Sequence, residues 1–365
     1  MAADGYAGPP RVRIPLAQPA DARRRRAKGP DLTHPHFDLP NEALVEMWYL
    51  LLLSRRIAER WFTLNRQGRA PFVVTGQGQE AAQVGTAAAL VPGKDWVLPY
   101  YRDIGVMLTL GMTVEEFMLN VLAKATDPNS GGRQMPAHWS AKELRVVSQS
   151  STVGTQIPMA AGLAWASQLR GEDAVAVCYI GEGATAQGDF HEGLNFAAVR
   201  RLPVILVVEN NGYAITESQE KEMPVEHVAD RAPAYGMKGI VVDGNDLMLV
   251  YRNMHQLVEE TRRGGGPAII ELKTYRTVPH SSDDDDRRYR TRAELEQWLK
   301  RDPVDRFRAR LINDGILTEA HAADLDVEAD QEVREALARA ERAPDPDPAT
   351  LLDHLFAAPP WGGTS

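Results

Sequence analysis

Three runs in this 365-residue sequence are apolar without alternation: "AVAVCYI" (174–180), "PVILVVEN" (203–210) and, after "GGGP", "AIIELKTY" (268–275). A strand with one wet face alternates polar and apolar residues, whereas a parallel strand covered on both faces reads as a continuous run. The residues between the first two runs, "GDFHEGLNFAAVRR", have helical character. A strand, helix, strand unit follows, whose crossover is right-handed in nearly all cases. The expectation is an α/β fold: a parallel sheet covered by helices on both faces. Both strands of such a unit open on the same carboxyl edge, where open α/β sheets bind ligands.

The rest of the chain organises around that unit. Residues 1–40, rich in Pro, Arg and Ala, read as an N-terminal arm, residues 41–290 as the α/β domain, and residues 291–365 as a helical C-terminal region with a tail. A helix is expected from "LPNEALVEMWYLLLLSRRIAERW", with Asn41 as its N-cap. Another follows the Gly-rich turn of "GQGQEAAQVGTAAAL", and a third begins at Thr113, with Glu116 completing a capping box. "QIPMAAGLAWASQLRG" reads as a small-residue helix closed by Gly171. The run "MWYLLLL" (47–53) is far too short to span a membrane, and the N-terminus lacks the apolar core of a secretion signal. "ARRRRAKGP" (22–30) reads as a solvated arm, with part of a transit peptide as the alternative. A net charge of −9 argues against a nucleic-acid partner. The one cysteine, Cys178, lies inside an apolar run and fits a reducing, cytoplasmic-type compartment, or the mitochondrial matrix in a eukaryote.

Chemistry concentrates in "CYIGEGATAQGDFHEGLNFAAVRRLPVILVVENNGYAI" (178–215). Glu182 and Asn211 close the first and second strands, so both are expected at the same edge. A carboxylate, a carboxamide oxygen and nearby main-chain carbonyls are hard donors that suit Mg²⁺, which keeps phosphate oxygens and water in its octahedron. Gly181 and Gly183 would let the backbone approach a bulky anion. Taken as isolated dipeptides, the glycine turn and the Asn-Gly turn need never meet. The strand–helix–strand spacing favours one shared metal diphosphate site.

Gly-acid-Gly followed after 26 residues by Asn-Asn resembles the thiamine diphosphate signature, with Glu182 where Asp is usual. From about residue 40 onward the chain is similar to alpha subunits of the decarboxylase component of 2-oxo acid dehydrogenases. The similarity includes "PYYRDIGV", "GRQMPAH", "VENNGYAI", "VDGNDLMLVY" and "SSDDDDRRYR", and "GRQMPAH" favours the branched-chain over the pyruvate type. The resemblance implies the thiamine-diphosphate-binding fold and assigns Glu182, Asn211 and the main-chain carbonyl of Tyr213 to Mg²⁺. It places Tyr101 and Arg102 at the diphosphate, a contact an Arg fork suits. Ser151 and Val153 fall beside the aminopyrimidine, and Gly181, Gly183, Ala184 and Ile215 elsewhere along the cofactor. Ser150, Thr152, Thr155 and Gln156 resemble a potassium loop. Candidate substrate-pocket residues are Phe72, Tyr100, Met135 and His138.

His280 follows the last strand, and its resemblance position puts it at the cofactor as the catalytic group, for diphosphate contact and stabilisation of the substrate-derived intermediate. Asp283 to Asp286 read by default as a solvated run, and Ser281 matches a phosphorylated serine of mammalian relatives. Some relatives carry a basic diphosphate contact where this chain has Glu209, so that contact is either absent or supplied elsewhere, Arg102 alone being one such reading. The implied activity is Mg²⁺–thiamine-diphosphate-dependent decarboxylation of branched-chain 2-oxo acids, then reductive acylation of a lipoyl group on a partner acyltransferase. Rival readings are a pyruvate or acetoin dehydrogenase alpha subunit and a non-catalytic nucleotide-binding α/β protein. The C-terminal region leaves no room for a second sheet, so the resemblance implies a beta subunit in an α₂β₂ assembly. The apolar segments "GTAAAL" (85–90) and "IPMAAGLAWA" (157–166) would suit that interface or ordinary core helices.

Overall fold

A computed structural model describes residues 39–353 and 355. The expected arm, with its basic run, and the end of the tail lie outside the described residues, apart from Leu39 and Pro40. Five parallel strands form one sheet in the order β1 (Trp96–Leu98), β2 (Ala176–Gly181), β3 (Val204–Asn210), then β7 (Ala268–Lys273) and β6 (Lys238–Asp243). A two-stranded hairpin, β4 (Tyr213–Ala214) and β5 (Glu217–Ser218), follows directly on β3.

The three continuous runs are the three central strands. In β3, Ile205 and Val207 join one core cluster while Val204, Leu206 and Val208 join the other, so each residue is apolar for a different neighbour. The larger cluster lies against α1 (Asn41–Arg66), α2 (Glu80–Ala87), α3 (Ile104–Leu110), α4 (Val114–Val121) and α7 (Leu247–Glu260). The smaller one lies against α5 (Gln156–Leu169) and α6 (Gly188–Val199). Strands β1 and β6 escaped sequence reading because they are the edges. One has three residues, and the other has only Val242 fully buried. Short or half-wet strands carry no continuous run.

Helix α1 has buried residues on all sides, including Met47, Trp48, Leu51, Leu53 and Trp61, and is the axis on which the C-terminal helices pack. After α8 (Arg292–Leu299), which buries no residue, these are α9 (Pro303–Asn313) and α10 (Glu319–Glu341). The Trp48 indole N–H donates to the Val304 carbonyl at 3.2 Å and the Tyr49 hydroxyl to Glu332 at 2.8 Å. The expected cap at Asn41 is corrected: Pro40 holds the N-cap position and Asn41 is already helical. Proline's fixed φ suits that entry, and its carbonyl accepts from the Ala43 and Leu44 amides. The Thr113–Glu116 capping box is present as expected. Gly171, at a φ of 68°, follows the α5 C-cap and ends the helix in the left-handed turn that glycine favours. Among the described residues, no helix is long and apolar enough to cross a membrane.

The two apolar segments behave differently. "GTAAAL" is wholly buried inside the chain and offers no interface, because α2 sits between α1, α3 and α7. "IPMAAGLAWA" buries Ile157, Ala160, Ala161 and Ala164 but leaves Met159 exposed, as is Leu169 one turn beyond. On the buried side α6 approaches α5 through Gly193, where a Cβ would sit 2.8 Å from both Ile157 Cγ2 and the Pro158 nitrogen. A main-chain atom cannot swing aside as a side chain can. Gly193→Ala is therefore expected to destabilise the chain by about 1–3 kcal/mol, read as a lowered denaturant midpoint at unchanged slope. A midpoint equal to that of the parent chain would show that the helices move apart freely.

Candidate active site

Because β2 and β3 run parallel with Gly181 opposite Glu209, the residues that follow them emerge side by side. Glu182 begins a short 3₁₀ turn, and one of its carboxylate oxygens, Oε2, accepts the Asn211 amide N–H at 3.0 Å. The other, Oε1, is buried and has no hydrogen-bond partner. Burial raises the Glu182 carboxyl above its ordinary range, opposed by backbone hydrogen bonds and by Arg276 and Arg102. An orphaned buried acceptor is costly unless a cation or donor completes it.

The two asparagines do different work. Asn210 is a bracket: its side-chain amide donates to Glu271 at 2.6 Å and Gln219 at 2.7 Å, and its oxygen accepts the Gly212 N–H. That ties β3 to β7 and to the hairpin. Asn211 faces Glu182, and its side-chain oxygen accepts the Tyr213 N–H at 3.3 Å. Gly181 has open space around it. Gly183 is required by the hairpin, since a Cβ there would lie 2.6 Å from that of Ala214.

Together these elements enclose a cavity of about 140 Å³. Tyr101, Arg102, Val153 and His280 line one part. Gly181, Glu182, Gly183, Ala184, Asn211, Tyr213 and Ile215 line the rest, with Tyr100, Ala214 and Arg276. Ser151 lies outside that lining, with its hydroxyl 2.5 Å from His138 Nε2. Among the substrate-pocket candidates only Tyr100 reaches the cavity, and its hydroxyl is already bonded to Glu209. Phe72 packs on the main core, Met135 is half exposed, and His138 is buried beneath its own loop, its Nδ1 meeting the Met135 and Pro136 carbonyls. In this chain those three are not brought to the cavity. Ser150, Thr152 and Thr155 form the turn entering α5, where both polar atoms of the buried Gln156 amide lack partners.

Arg276 was missed. It stands just past the third apolar run, so the carboxyl-edge argument that singled out Glu182 and Asn211 applies to it equally. Arg102 and Arg276 are each 2 % exposed, and neither forms an ion pair with a carboxylate among the described residues. Burial, with Arg102 nearby, lowers Arg276 to about 10. Two buried guanidiniums without a counter-ion make a site for an anion. Glu209 points into the layer beneath, and Arg276 stands beside Arg102, so a basic group supplied from elsewhere than position 209 is at hand.

Both guanidiniums reach His280 Nδ1, Arg102 at 2.9 Å and Arg276 at 3.3 Å. Guanidinium only donates, so Nδ1 accepts and the ring proton sits on Nε2. Burial first, then Arg102 and Arg276, lower His280 to about 3, leaving it neutral at physiological pH. The acidic loop is less solvated than expected. Asp284 accepts the His280 N–H at 2.8 Å and the Tyr289 hydroxyl, and Asp286 pairs with Arg290, which also donates to the Arg276 carbonyl. Ser281 is buried at 7 % exposure, and Ser282 is tied to Val73 by both its N–H and its hydroxyl.

Residues 49–349 match the family model described as dehydrogenase E1 component. The chain belongs to the dehydrogenase E1 component family. It is 48% identical over 324 residues to the 2-oxoisovalerate dehydrogenase subunit alpha of Bacillus subtilis, covering 89% of this chain and 98% of that one. To the mitochondrial 2-oxoisovalerate dehydrogenase subunit alpha of Homo sapiens it is 36% identical, over 89% of this chain and 73% of the relative. To the pyruvate dehydrogenase E1 component subunit alpha of Staphylococcus aureus it is also 36% identical, over 87% and 84%.

The pocket of this E1 chain predicts a titration. Since folding keeps His280 neutral, stability is indifferent to it above about pH 6.5 and falls as pH drops from there toward about 3. Replacing Arg276 by Met removes one of the two facing charges and should raise the His280 pKa, followed by NMR of the ring protons. An unchanged titration would show that Arg276 does not act on the ring.

Proposed function

We propose that this chain is the alpha subunit of a branched-chain 2-oxo acid dehydrogenase and holds the Mg²⁺–diphosphate end of thiamine diphosphate. The observation that carries the reading is the pairing, at one sheet edge, of two counter-ion-free buried guanidiniums with a buried carboxylate oxygen lacking any partner. The arginines suit phosphate oxygens. Glu182 Oε1, the Asn211 carboxamide and the Tyr213 main-chain carbonyl suit the hard cation that accompanies them. The donor set therefore fits the group.

When bound, thiamine diphosphate supplies the electron sink for loss of CO₂ from the 2-oxo acid. The chain's own residues bind, orient and protect. Arg102 and Arg276 would take the diphosphate, with Val153 and Ile215 as apolar lining. His280, held by both guanidiniums at Nδ1, presents a neutral Nε2–H that can donate to a developing oxyanion without carrying charge of its own. The proposed reaction would end in reductive acylation of a lipoyl group on the partner acyltransferase, whose disulfide takes up the two electrons as one sulfur is acylated and the other becomes a thiol.

The cavity of about 140 Å³ is smaller than the ~300–1,000 Å³ of a complete small-ligand site. That supports a site shared with a beta subunit in an α₂β₂ assembly, which would bring the carboxylic acid facing the aminopyrimidine, beside Ser151, and complete the substrate pocket for which Phe72, Tyr100, Met135 and His138 are the candidates. Exposed Met159 and Leu169 on α5, with Phe196 and Val199 on α6, are suited to such a partner. The partnerless Gln156 amide is where a potassium ion would sit in the same assembly. Branched-chain substrates are favoured by the 48% relative, named for 2-oxoisovalerate and matched over nearly its whole length.

Glu182→Ala removes the anionic ligand and should weaken Mg²⁺-dependent thiamine diphosphate binding by about tenfold or more. Calorimetry on the assembled enzyme reads this, and an unchanged affinity sinks the metal assignment. The alpha chain alone should be inactive with cofactor, Mg²⁺ and 4-methyl-2-oxopentanoate, and adding the beta chain should restore turnover. Each methylene in an apolar pocket contributes about 1–3 kcal/mol, so the assembled enzyme should prefer that substrate to pyruvate in kcat/KM. A preference for pyruvate would place the chain with the pyruvate enzymes instead.

A further inference from the structure

The turn that carries Arg102 rests on a polar cluster sealed from solvent. Gln79, Gln83, Asp103 and Glu209 have no exposed surface, and Tyr100 is 2 % exposed. Glu209 leaves β3 on the face toward α2. Its Oε2 accepts from Gln79 Nε2 at 2.9 Å, Gln83 Nε2 at 3.1 Å and the Tyr100 hydroxyl at 3.1 Å. Gln83 in turn grips the turn on both sides of Asp103: its Nε2 donates to the Arg102 carbonyl at 2.9 Å, and its Oε1 accepts the Gly105 N–H at 3.0 Å. Tyr100 is held again through its own N–H, which donates to Asp103 Oδ2 at 2.7 Å. There is no room to loosen: a Cβ on Gly76 would lie 2.5 Å from both the Arg102 carbonyl oxygen and Gln83 Nε2.

Burying so many polar atoms costs more than apolar packing of the same volume, unless each is hydrogen-bonded. Here the hydrogen bonds converge on one carboxyl group and fan out to one turn. We propose that Glu209 is a positioning residue, which aims the Arg102 guanidinium into the anion pocket by anchoring Tyr100 and Gln83. The significance of that aim rests on the diphosphate reading given above. The remaining oxygens, Glu209 Oε1 and Asp103 Oδ1, are both buried without a hydrogen-bond partner. Burial raises both carboxyls above their ordinary range. A glutamine at 209 meets the same demands, its oxygen accepting the three donors. A leucine fills similar space and meets none of them.

The test compares E209Q, E209L and the parent in the full-length chain. Amide hydrogen exchange reads the turn, and calorimetry with Mg²⁺ and inorganic pyrophosphate on the α–β assembly reads the pocket. E209L should speed exchange across residues 99–105 by about tenfold or more, leave β2 and β7 unchanged, and weaken pyrophosphate binding by a similar factor. E209Q should match the parent in both. If E209L does not fold, Gln83→Met, which cuts the link between Glu209 and the Arg102 carbonyl, should give the same local loosening. Equal behaviour of E209Q and E209L, loosening spread evenly over the sheet, or no loosening in Gln83→Met each overturns the proposal. Local loosening with unchanged pyrophosphate affinity upholds the hold on the turn and overturns the anion reading of Arg102.

Discussion

The pairing of β2 with β3, Gly181 opposite Glu209, sets where each charged group of the site can stand. Parallel neighbours in register end together, so the carboxylate after one strand and the amide after the other are forced within hydrogen-bond reach. A third strand, β7, pairs with β3 and ends at the same edge, which delivers Arg276 and then His280. Shifting β2 by one residue would turn its apolar side chains to the wrong cores, so the burial of both faces also protects the geometry of the site.

The electrostatics of that edge are unbalanced by design of the fold. Two guanidiniums are taken out of water with no carboxylate bonded to them, and the nearest ring, His280, is kept neutral first by burial and then by repulsion from those two charges. Glu182 stands close enough to offset part of the charge, but its partnerless oxygen shows that it does not close the site. An incoming anion with its own hard cation would satisfy both groups at once. Two pre-formed ion pairs would have left little for such an anion to gain.

Polar networks brace the edge from both sides of the sheet. On the α2 side, Glu209 gathers Gln79, Gln83 and Tyr100. On the other, Glu271 gathers Asn210, the Ala229 N–H and Lys273. Adjacent residues of β3 thus point their side chains into opposite layers and lock opposite parts of the site, one the arginine turn and the other the hairpin. The acidic loop adds a third brace, with Asp284 on the His280 backbone and Arg290 on the Arg276 carbonyl.

By itself the sequence determined the layered α/β architecture, because three unbroken apolar runs separated by helical segments have few other ways to be buried. It also determined that Glu182 and Asn211 share an edge, since strand ends follow from strand direction. What only the tertiary structure decided depends on contacts distant in the chain. The edge strands β1 and β6 carry too little burial to be read in advance. Asn41 yielded its cap to a neighbour whose backbone was already in place. Glu209, adjacent to Asn210, points into the opposite layer because successive strand residues face opposite sides of the sheet, and its partners Gln79 and Gln83 lie more than a hundred residues earlier in the chain. Arg276 became part of the anion site only when β7 was placed beside β3, for strand order is set by packing across the sheet and not by any local pattern.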